Sequence, residues 1–453
     1  MAEHADVIVV GMGPGGEDLA GRLAEEGLDV VGVEGRLVGG ECPYWGCVPS
    51  KMMLRAAALL ADARRVPGMA GAATVIPDWA PVAKRIRVEA TDDWDDHVAV
   101  ERFESKGGRF IRGWGRLIGP GQVSVSEREI EARRAVVINA GTQPWVPPIP
   151  GLSEVAYWTN RHAIEATEVP SSLVVIGGGA IGVELGQVFA RFGSKVTVLE
   201  AGPHLLPSEE PEAGRLLAEV LSGEGMRIVN QAEISAVHAN GPGFAVELAT
   251  GESVQGERLL LATGRRVDLA SLGVGSVGLD ETAQSIPVDG TCRAAPGLWA
   301  IGDITGVGAF THVSMYQAKI AAADIAGRAV VPADYRALPR VTFTDPEIGS
   351  VGLSEASARS AGHSVRVGFS DLASSARGWI QKLDNAGFIK LVEDADRGVL
   401  VGATSVGPCG GEVLSMLTLA IHASVPTADL ATMIYAYPTF HRAVEVAVCD
   451  LAT

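Results

Sequence analysis

The apolar residues of this chain repeat one arrangement twice: a short apolar run, a glycine-rich turn, an amphipathic stretch and a second apolar run that ends in glutamate. The first copy starts at residues 6–10 and ends at Glu34, and the second starts at residues 173–176 and ends at Glu200. Short apolar runs bounded by glycine predict buried strands, and the longer periodic stretches predict helices. The pattern therefore predicts two strand–helix–strand units of a doubly wound α/β fold.

Each glycine-rich turn has the spacing Gly-x-Gly-x-x-Gly, and in both copies the glutamate follows the third glycine by 18 residues (16 to 34 and 182 to 200). In such a turn the first glycine allows the tight bend, the second lets a pyrophosphate approach the backbone, and the third lets helix pack on strand. The phosphates lie at the positive end of the helix, and the acid accepts hydrogen bonds from ribose hydroxyls. The predicted dinucleotide contacts are Gly11, Gly13, Gly16 and Glu34 in the first copy and Gly177, Gly179, Gly182 and Glu200 in the second.

The second copy also indicates which nicotinamide dinucleotide it binds. A carboxylate at Glu200 repels a 2′-phosphate, and Ala201 and Pro207 supply no arginine to receive one. NADH is therefore favoured over NADPH.

Charge and cysteine content narrow the class of protein further. The 453 residues, enough for about three domains, carry a net charge of −17, which argues against nucleic-acid or anionic-membrane partners because both need a basic face. No basic segment precedes an apolar core at the N-terminus, and no apolar run approaches the roughly 18 residues of a membrane helix. The five cysteines form no dense secreted framework, so a cytoplasmic protein is expected.

Two of the cysteines lie in the most informative segment, residues 41–51, which read ECPYWGCVPSK. Cys42 and Cys47 are separated by four residues, and Pro43 and Gly46 permit the loop to turn back so that a small disulfide ring can close. A helix is predicted over 51–64, and a helix N-terminus stabilises a nearby thiolate. The pair is predicted to be redox-active.

This segment resembles the active-site motif of the class I flavoprotein disulfide reductases, whose members include dihydrolipoamide dehydrogenase, glutathione reductase, mycothione reductase and mercuric reductase. The resemblance covers essentially the whole chain, including both glycine turns, ATGR at 262–265, IGD at 301–303 and residues 342–352. It implies an α/β chain with two Rossmann-like dinucleotide-binding domains, for FAD and NAD, and a C-terminal α+β dimerisation domain. The implied domains are an FAD-binding domain in two parts (1–145 and 267–335), an NAD-binding domain (146–266) and an interface domain (336–453).

The resemblance also implies roles for individual residues. Cys47 is expected to lie against the flavin as the charge-transfer thiolate, and Cys42 to face the substrate. Lys51 is expected near flavin N5, paired with Glu184. The remaining expected FAD and NAD contacts, beside the two glycine turns, are Glu34 on the FAD ribose, Asp303 on the ribityl chain, Gly141 and Gly264. No metal site is expected.

The C-terminal segment departs from the family pattern. Disulfide-reducing members carry His-Pro-Thr followed two residues on by Glu, and the histidine reaches the active site of the other subunit in a homodimer. Here residues 437–442 read YPTFHR, so Tyr437 replaces the histidine and Arg442 the glutamate. A phenol titrates near pH 10 and an imidazole near 6.5, so Tyr437 is a poor thiolate-activating base. Arg442 can pair with a carboxylate or phosphate.

Other departures leave alternatives open. Tyr44 and Trp45 replace smaller residues and either line an aromatic substrate pocket or pack the loop. His441 has either a chemical or a packing role, and Cys449 invites comparison with the C-terminal cysteine pair of mercuric reductase, although it stands alone.

The protein is predicted to be an enzyme in which NADH reduces FAD, FAD reduces the Cys42–Cys47 disulfide, and the dithiol reduces a small-molecule acceptor. The acceptor is a disulfide or another thiol-reactive electrophile. The alternatives are a metal-ion or quinone reductase, a thioether-cleaving enzyme like 2-ketopropyl-coenzyme M oxidoreductase/carboxylase, and a non-enzymatic flavin sensor. Intact Cys42, Cys47 and Lys51 argue against the sensor.

Overall fold

The computed structural model describes residues 3–451, which form two compact units. The first unit comprises the chain up to Pro49, Lys84–Trp145 and Gly264–Asp334. The second comprises Ser50–Ala83, Val146–Thr263 and the chain from Tyr335 onward. The mixture of helices and parallel strands confirms the predicted α/β class.

The first part of the chain, up to residue 145, contains the first predicted strand–helix–strand unit. Its elements are β1 (Glu3–Val10), α1 (Pro14–Glu25), β2 (Val30–Glu34), α2 (Glu41–Tyr44), α3 (Cys47–Arg65), α4 (Ala80–Arg85), α5 (His97–Ser105), β3 (Arg109–Arg112), β4 (Gly115–Gly119), β5 (Gln122–Val125), β6 (Arg128–Ile138) and β7 (Gln143–Pro144).

The middle of the chain contains the second such unit. Its elements are α6 (Asn160–Ile164), β8 (Ser172–Ile176), α7 (Ala180–Arg191), β9 (Lys195–Leu199), α8 (Pro211–Gly223), β10 (Arg227–Val229), β11 (Ile234–Asn240), β12 (Gly243–Leu248), β13 (Ser253–Gly256), β14 (Arg258–Leu261), β15 (Arg265–Arg266), α9 (Leu269–Leu272), β16 (Arg293–Ala295), β17 (Leu298–Ala300) and α10 (Thr311–Ile325).

The strands in the last part of the chain pair antiparallel. Its elements are β18 (Pro339–Thr342), β19 (Glu347–Gly352), α11 (Glu355–Ser360), β20 (Val365–Asp371), α12 (Ala376–Gln381), β21 (Phe388–Asp394), β22 (Val399–Gly407), α13 (Gly410–His422), α14 (Thr427–Thr432) and α15 (His441–Asp450).

The first unit is built on a sheet of strand order β16-β17-β6-β1-β2-β3, extended by the β4–β5 hairpin. β1 runs parallel to both β2 and β6. Its side chains alternate between two cores: Val7 and Val9 pack with residues of α1 and α10, and Ile8 and Val10 pack on the opposite side. A strand that is buried on both faces needs a continuous apolar run, as the sequence of β1 shows.

The second unit contains three sheets. A parallel sheet of order β10-β9-β8-β14 carries the second glycine turn, and an antiparallel sheet of order β11-β12-β13 accompanies it. A five-stranded antiparallel sheet of order β18-β19-β22-β21-β20 forms the C-terminal part. α13 and α15 bury apolar side chains against this last sheet, among them Leu417 and Val444. Among the described residues, no helix is both long and apolar enough to cross a membrane.

The cysteine segment differs in detail from the prediction of a turned-back loop. Residues 41–44 form the one-turn helix α2, and α3 begins at Cys47 rather than at residue 51. Proline is compatible with the first helical turn because its missing N–H is not needed there. Pro43 and Pro49 each lie in such a turn, and therefore start helices instead of interrupting them.

Candidate active site

Cys42 lies in the one-turn helix α2, and Cys47 is the first residue of α3. Both cysteines are free thiols, with Cys42 half-buried and Cys47 exposed. The two side chains are within hydrogen-bonding distance, and this contact, together with burial, raises the pKa of Cys42. Cys42 therefore keeps its proton at neutral pH.

Thr311, the first residue of α10, contacts both cysteines. Its Oγ1 lies 3.4 Å from Cys47 Sγ, and its hydrogen bond to Cys42 lowers the pKa of that thiol and so opposes the other effects. No role was predicted for this hydroxyl from the sequence, because a hydroxyl residue at a helix start is ordinarily a cap.

Lys51 lies one helical turn after Cys47 on α3, on the same face. Its Nζ is 2.8 Å from Oε2 of Glu184 on α7 and 4.7 Å from the ring centroid of Phe343. The Glu184 side chain is 6% exposed, and its second oxygen accepts the Phe343 N–H at 2.8 Å. The structure thus brings Lys51 and Glu184 together, and adds Phe343, which the sequence analysis did not single out.

The first glycine turn forms a close backbone cradle. A side chain at Gly11 would meet the Asn139 carbonyl oxygen at 2.4 Å, and one at Gly16 would meet the Gly11 carbonyl oxygen at 2.1 Å. Gly11 has φ 94°, a conformation that glycine adopts readily. Gly13 is the N-cap of α1, so the free N–H groups of that helix face the turn, as a pyrophosphate requires.

Beside this turn lies a cavity of about 340 Å³, lined by residues that include Glu34, Trp114 and Gly141. The Glu34 carboxylate accepts hydrogen bonds from the N–H groups of Met12 (2.9 Å) and Arg36 (2.7 Å), which orient it. Burial raises the pKa of Glu34, and the two hydrogen bonds oppose that rise. A cavity of this size with a fixed acid on its wall fits the adenosine part of a dinucleotide.

Asp303 belongs to a polar cluster near the same sheet edge. Thr142 Oγ1 donates to Asp303 at 3.1 Å, and Arg265 Nε donates to Thr142 Oγ1 at 2.7 Å. Burial raises the pKa of Asp303, and the charge of Arg265 opposes that rise. Gly264 has φ 104°, and its carbonyl accepts the Trp145 N–H at 2.9 Å, so it closes the turn that orients Arg265.

The second glycine turn repeats the cradle. A side chain at Gly182 would meet the Gly177 carbonyl oxygen at 2.1 Å, whereas Gly179, the N-cap of α7, has open space around it. Glu200 is buried and accepts the N–H groups of Gly178 and Gly202, each at 2.6 Å. These bonds hold the carboxylate beside the turn.

The altered C-terminal segment lies in the second unit. The Tyr437 side chain is 71% exposed. Arg442 Nη1 forms an ion pair with Glu445 Oε2 at 2.8 Å, so a carboxylate one turn along α15 compensates the charge of the arginine. His441 starts α15, and Cys449, close to its end, is exposed.

The two aromatic residues between the cysteines differ in burial. Tyr44 is buried, its hydroxyl donates to the Asp95 carbonyl at 3.5 Å, and burial raises its pKa to about 12. Trp45 is partly exposed, with its ring centroid 5.9 Å from that of Tyr44. Tyr44 therefore packs the loop, and Trp45 presents a partly open surface.

Two glycine cradles for dinucleotides, together with a dithiol at a helix start, define a flavin- and nicotinamide-dependent dithiol oxidoreductase. The sequence comparison agrees: residues 5–322 match the pyridine nucleotide-disulphide oxidoreductase family, and residues 338–448 match its dimerisation domain. The chain belongs to this family of oxidoreductases, whose standard cofactors are FAD and NAD(H).

Known proteins resemble the chain over nearly its whole length. Dihydrolipoyl dehydrogenase 3 of Pseudomonas aeruginosa is 34% identical, with 100% of this chain and 98% of that protein covered. Mercuric reductase of Staphylococcus aureus is 30% identical, with 98% of this chain and 81% of that protein covered. Among solved structures, the HOCl-induced flavoprotein disulfide reductase RclA from Escherichia coli, in its Cu(II) complex, is 25% identical with a TM-score of 0.86, and each chain is covered to 99%.

Proposed function

We propose that this protein uses NADH and FAD to reduce a Cys42–Cys47 disulfide, and that the resulting dithiol reduces a small-molecule disulfide or another thiol-reactive electrophile. The observation that carries the proposal is the contact of the two sulfurs with each other and with Thr311 at a helix start. An incidental pair of thiols has no reason to share a hydroxyl partner at such a position.

In the reductive half-reaction, NADH, a proton and the Cys42–Cys47 disulfide are converted to NAD⁺ and the dithiol. Bound FAD supplies the two-electron carrier between nicotinamide and sulfur. The first glycine cradle, Glu34 and Asp303 would hold that cofactor. Lys51, four residues after Cys47 in the chain and paired with Glu184, would supply a positive charge to that cofactor.

In the oxidative half-reaction, Cys42 loses its proton and attacks one sulfur of the acceptor. The acceptor S–S bond breaks, a mixed disulfide forms on Cys42, and the first thiol leaves with a proton. Cys47 then attacks Cys42, which restores the protein disulfide and releases the second thiol. Because the pKa of Cys42 is raised, its proton must be removed before the first attack at neutral pH.

For the donor, we infer a preference for NADH. The Glu200 carboxylate is fixed by two backbone N–H groups where the adenosine ribose of a dinucleotide would lie. A 2′-phosphate at that position meets a negative charge that cannot rotate away. A supply of NADH and reduced thiols is found in the cytoplasm, where we place the protein.

The dimerisation domain supports a homodimer, in which we infer that Tyr437 of the partner subunit reaches the dithiol. Its phenol can donate a proton to a departing group but is a weak base. This replacement favours one second candidate, a metal-ion or quinone reductase, since such acceptors release no thiolate that needs a general acid.

The experiment that tests the proposal is anaerobic reduction of the holoenzyme followed by mixing with an acceptor panel of disulfides, quinones and Hg²⁺. Reduction by two electrons should give a long-wavelength thiolate-to-flavin absorption band. Cys47→Ser should abolish that band, whereas Cys42→Ser should show it without added reductant. If both variants titrate like the wild type, the pair is not coupled to the flavin. Reaction with quinones or Hg²⁺ alone would select the second candidate.

A further inference from the structure

The loop that follows β18 is docked on one face of α7. Three α7 side chains, spaced three and four residues apart, contact it in order. The loop residue Phe343 donates its N–H to Glu184 at 2.8 Å. Asp345 donates its N–H to Gln187 Oε1 at 2.9 Å, and Gln187 Nε2 returns a bond to the Asp345 carbonyl at 2.8 Å.

Buried charge strengthens this docking. Arg191, the last of the three α7 side chains, is 4% exposed and contacts Asp345 Oδ2 at 2.7 Å. Arg65, near the C-terminal end of α3, contacts the same carboxylate oxygen at 2.9 Å. The two arginines lower the pKa of Asp345 against the effect of its burial. The loop is therefore held between α7 and the far end of α3.

At its other end the loop reaches the part of α3 that bears Lys51. The Lys51 ammonium lies 2.8 Å from Glu184 Oε2 and 4.7 Å from the Phe343 ring centroid. The Lys51 side chain remains 36% exposed, so its free side is turned away from the carboxylate and the ring. One residue thus acts on the ammonium twice: the Phe343 N–H orients Glu184, and the Phe343 ring contacts the cation directly.

We propose that Phe343 is a positioning residue that fixes the Lys51 ammonium for its interaction with bound FAD. The inference deepens the proposed function and rests on it, since it requires a flavin beside Cys47 and Lys51. A cation held at a fixed distance stabilises the anionic reduced form of the flavin. A cation–π contact at a partly exposed site is worth about 0.5–1 kcal/mol, which corresponds to a two- to fivefold change in an equilibrium constant.

The test is the midpoint potential of bound FAD, measured in a background in which Cys42 and Cys47 are both serine, so that the flavin alone titrates. Phe343→Leu keeps an apolar side chain and the backbone N–H but removes the ring face. It should lower the equilibrium constant for flavin reduction two- to fivefold, or about 10–20 mV at 29.6 mV per tenfold for a two-electron couple. Phe343→Tyr, the matched control, should keep the potential of the background protein.

Lys51→Met in the same background removes the cation and so gives the largest shift in the FAD midpoint potential that the cation can cause. That shift should exceed the shift caused by Phe343→Leu. If Phe343→Leu leaves the potential unchanged while Lys51→Met lowers it, the positioning role is refuted and the proposed function stands. A background protein that binds no FAD would instead refute the proposed function. If Phe343→Leu fails to retain FAD, Phe343→Met is titrated in its place, with the same expected shift and the same refuting result.

Discussion

Replacing Thr311 by valine tests how the dithiol is activated. The Thr311 hydroxyl lies 3.4 Å from Cys47 Sγ and lowers the pKa of Cys42, while the contact with Cys47 and burial raise it. Valine has nearly the same shape without the hydroxyl. The substitution therefore removes a side-chain hydrogen bond that opposes the raised pKa of Cys42, and the thiol should lose its proton less readily.

The size of the effect follows from the geometry. A hydrogen bond to a charged group contributes about 1.5–3 kcal/mol, and a long contact to sulfur at a partly exposed site lies at the low end. About 1.4 kcal/mol corresponds to one pKa unit. Below the pKa of Cys42 the thiolate fraction rises tenfold per pH unit. A thiolate with a higher pKa is also a stronger nucleophile, with a Brønsted β of about 0.4–0.5. Thr311→Val should therefore slow the oxidative half-reaction about three- to fourfold at fixed pH, and about half a pH unit should restore the rate.

The assay is stopped-flow oxidation of the two-electron-reduced holoenzyme by an active acceptor, between pH 6 and 9. Thr311→Ser, which keeps the hydroxyl, is the control and should follow the wild type. Flavin reduction by NADH should be the same in all three proteins, because the hydroxyl contacts sulfur. A Thr311→Val enzyme with the wild-type rate and pH profile would refute this reasoning. A loss in the NADH step would mean that the substitution disturbs the fold around α10.

Three further predictions concern other parts of the chain. NADH should exceed NADPH in kcat/KM by about tenfold or more, from repulsion between Glu200 and a 2′-phosphate, and equal steady-state values would contradict this account of the second cradle. The double change Tyr437→His with Arg442→Glu should lower turnover of the native acceptor by about 10²–10⁴-fold, the usual contribution of general acid catalysis, without creating activity on simple disulfides. A gain in disulfide turnover would show instead that the chain is a disulfide reductase lacking its acid. The carboxyl of Asp384 contacts Arg65, and its pKa is raised to about 7 by burial and by Asp345. Between about pH 4 and 7 it is therefore protonated in the folded protein but ionised in the unfolded chain. Its contribution to stability is lost as the pH rises through this range. Asp384→Asn should consequently raise Tm relative to the wild type at pH 8 but not at pH 5, and an equal change at both would exclude this titration.

Several parts of the site could be predicted because they depend on local sequence. Each glycine turn is contiguous in the chain, and at four of the six predicted glycines a side chain would meet a backbone carbonyl oxygen at 2.1–2.4 Å; these are Gly11, Gly16, Gly177 and Gly182. The cysteine pair and the helix that follows it are likewise adjacent in sequence. The cysteine segment differed only in the ends of its elements, because residues 41–44 form a one-turn helix and α3 begins at Cys47, four residues before the predicted start.

Other contacts depend on segments far apart in the chain. Thr311 meets Cys47 across 264 positions, and Phe343 meets Glu184 across 159. No periodicity within a single segment records such contacts, since a hydroxyl at a helix start and an aromatic residue after a strand are common in any fold. The Lys51–Glu184 pair, 133 positions apart, was expected only through the resemblance to a known family.

The sequence by itself therefore determined the α/β class and indicated the two glycine turns and the cysteine pair, because each is recorded in residue types and spacings within one short segment. Only the tertiary structure decided which groups act on that pair. The proton of Cys42 and the orientation of Lys51 depend on neighbours brought together by packing, and the free energy of a charge or a hydrogen bond is set by distance and burial, which sequence separation does not specify.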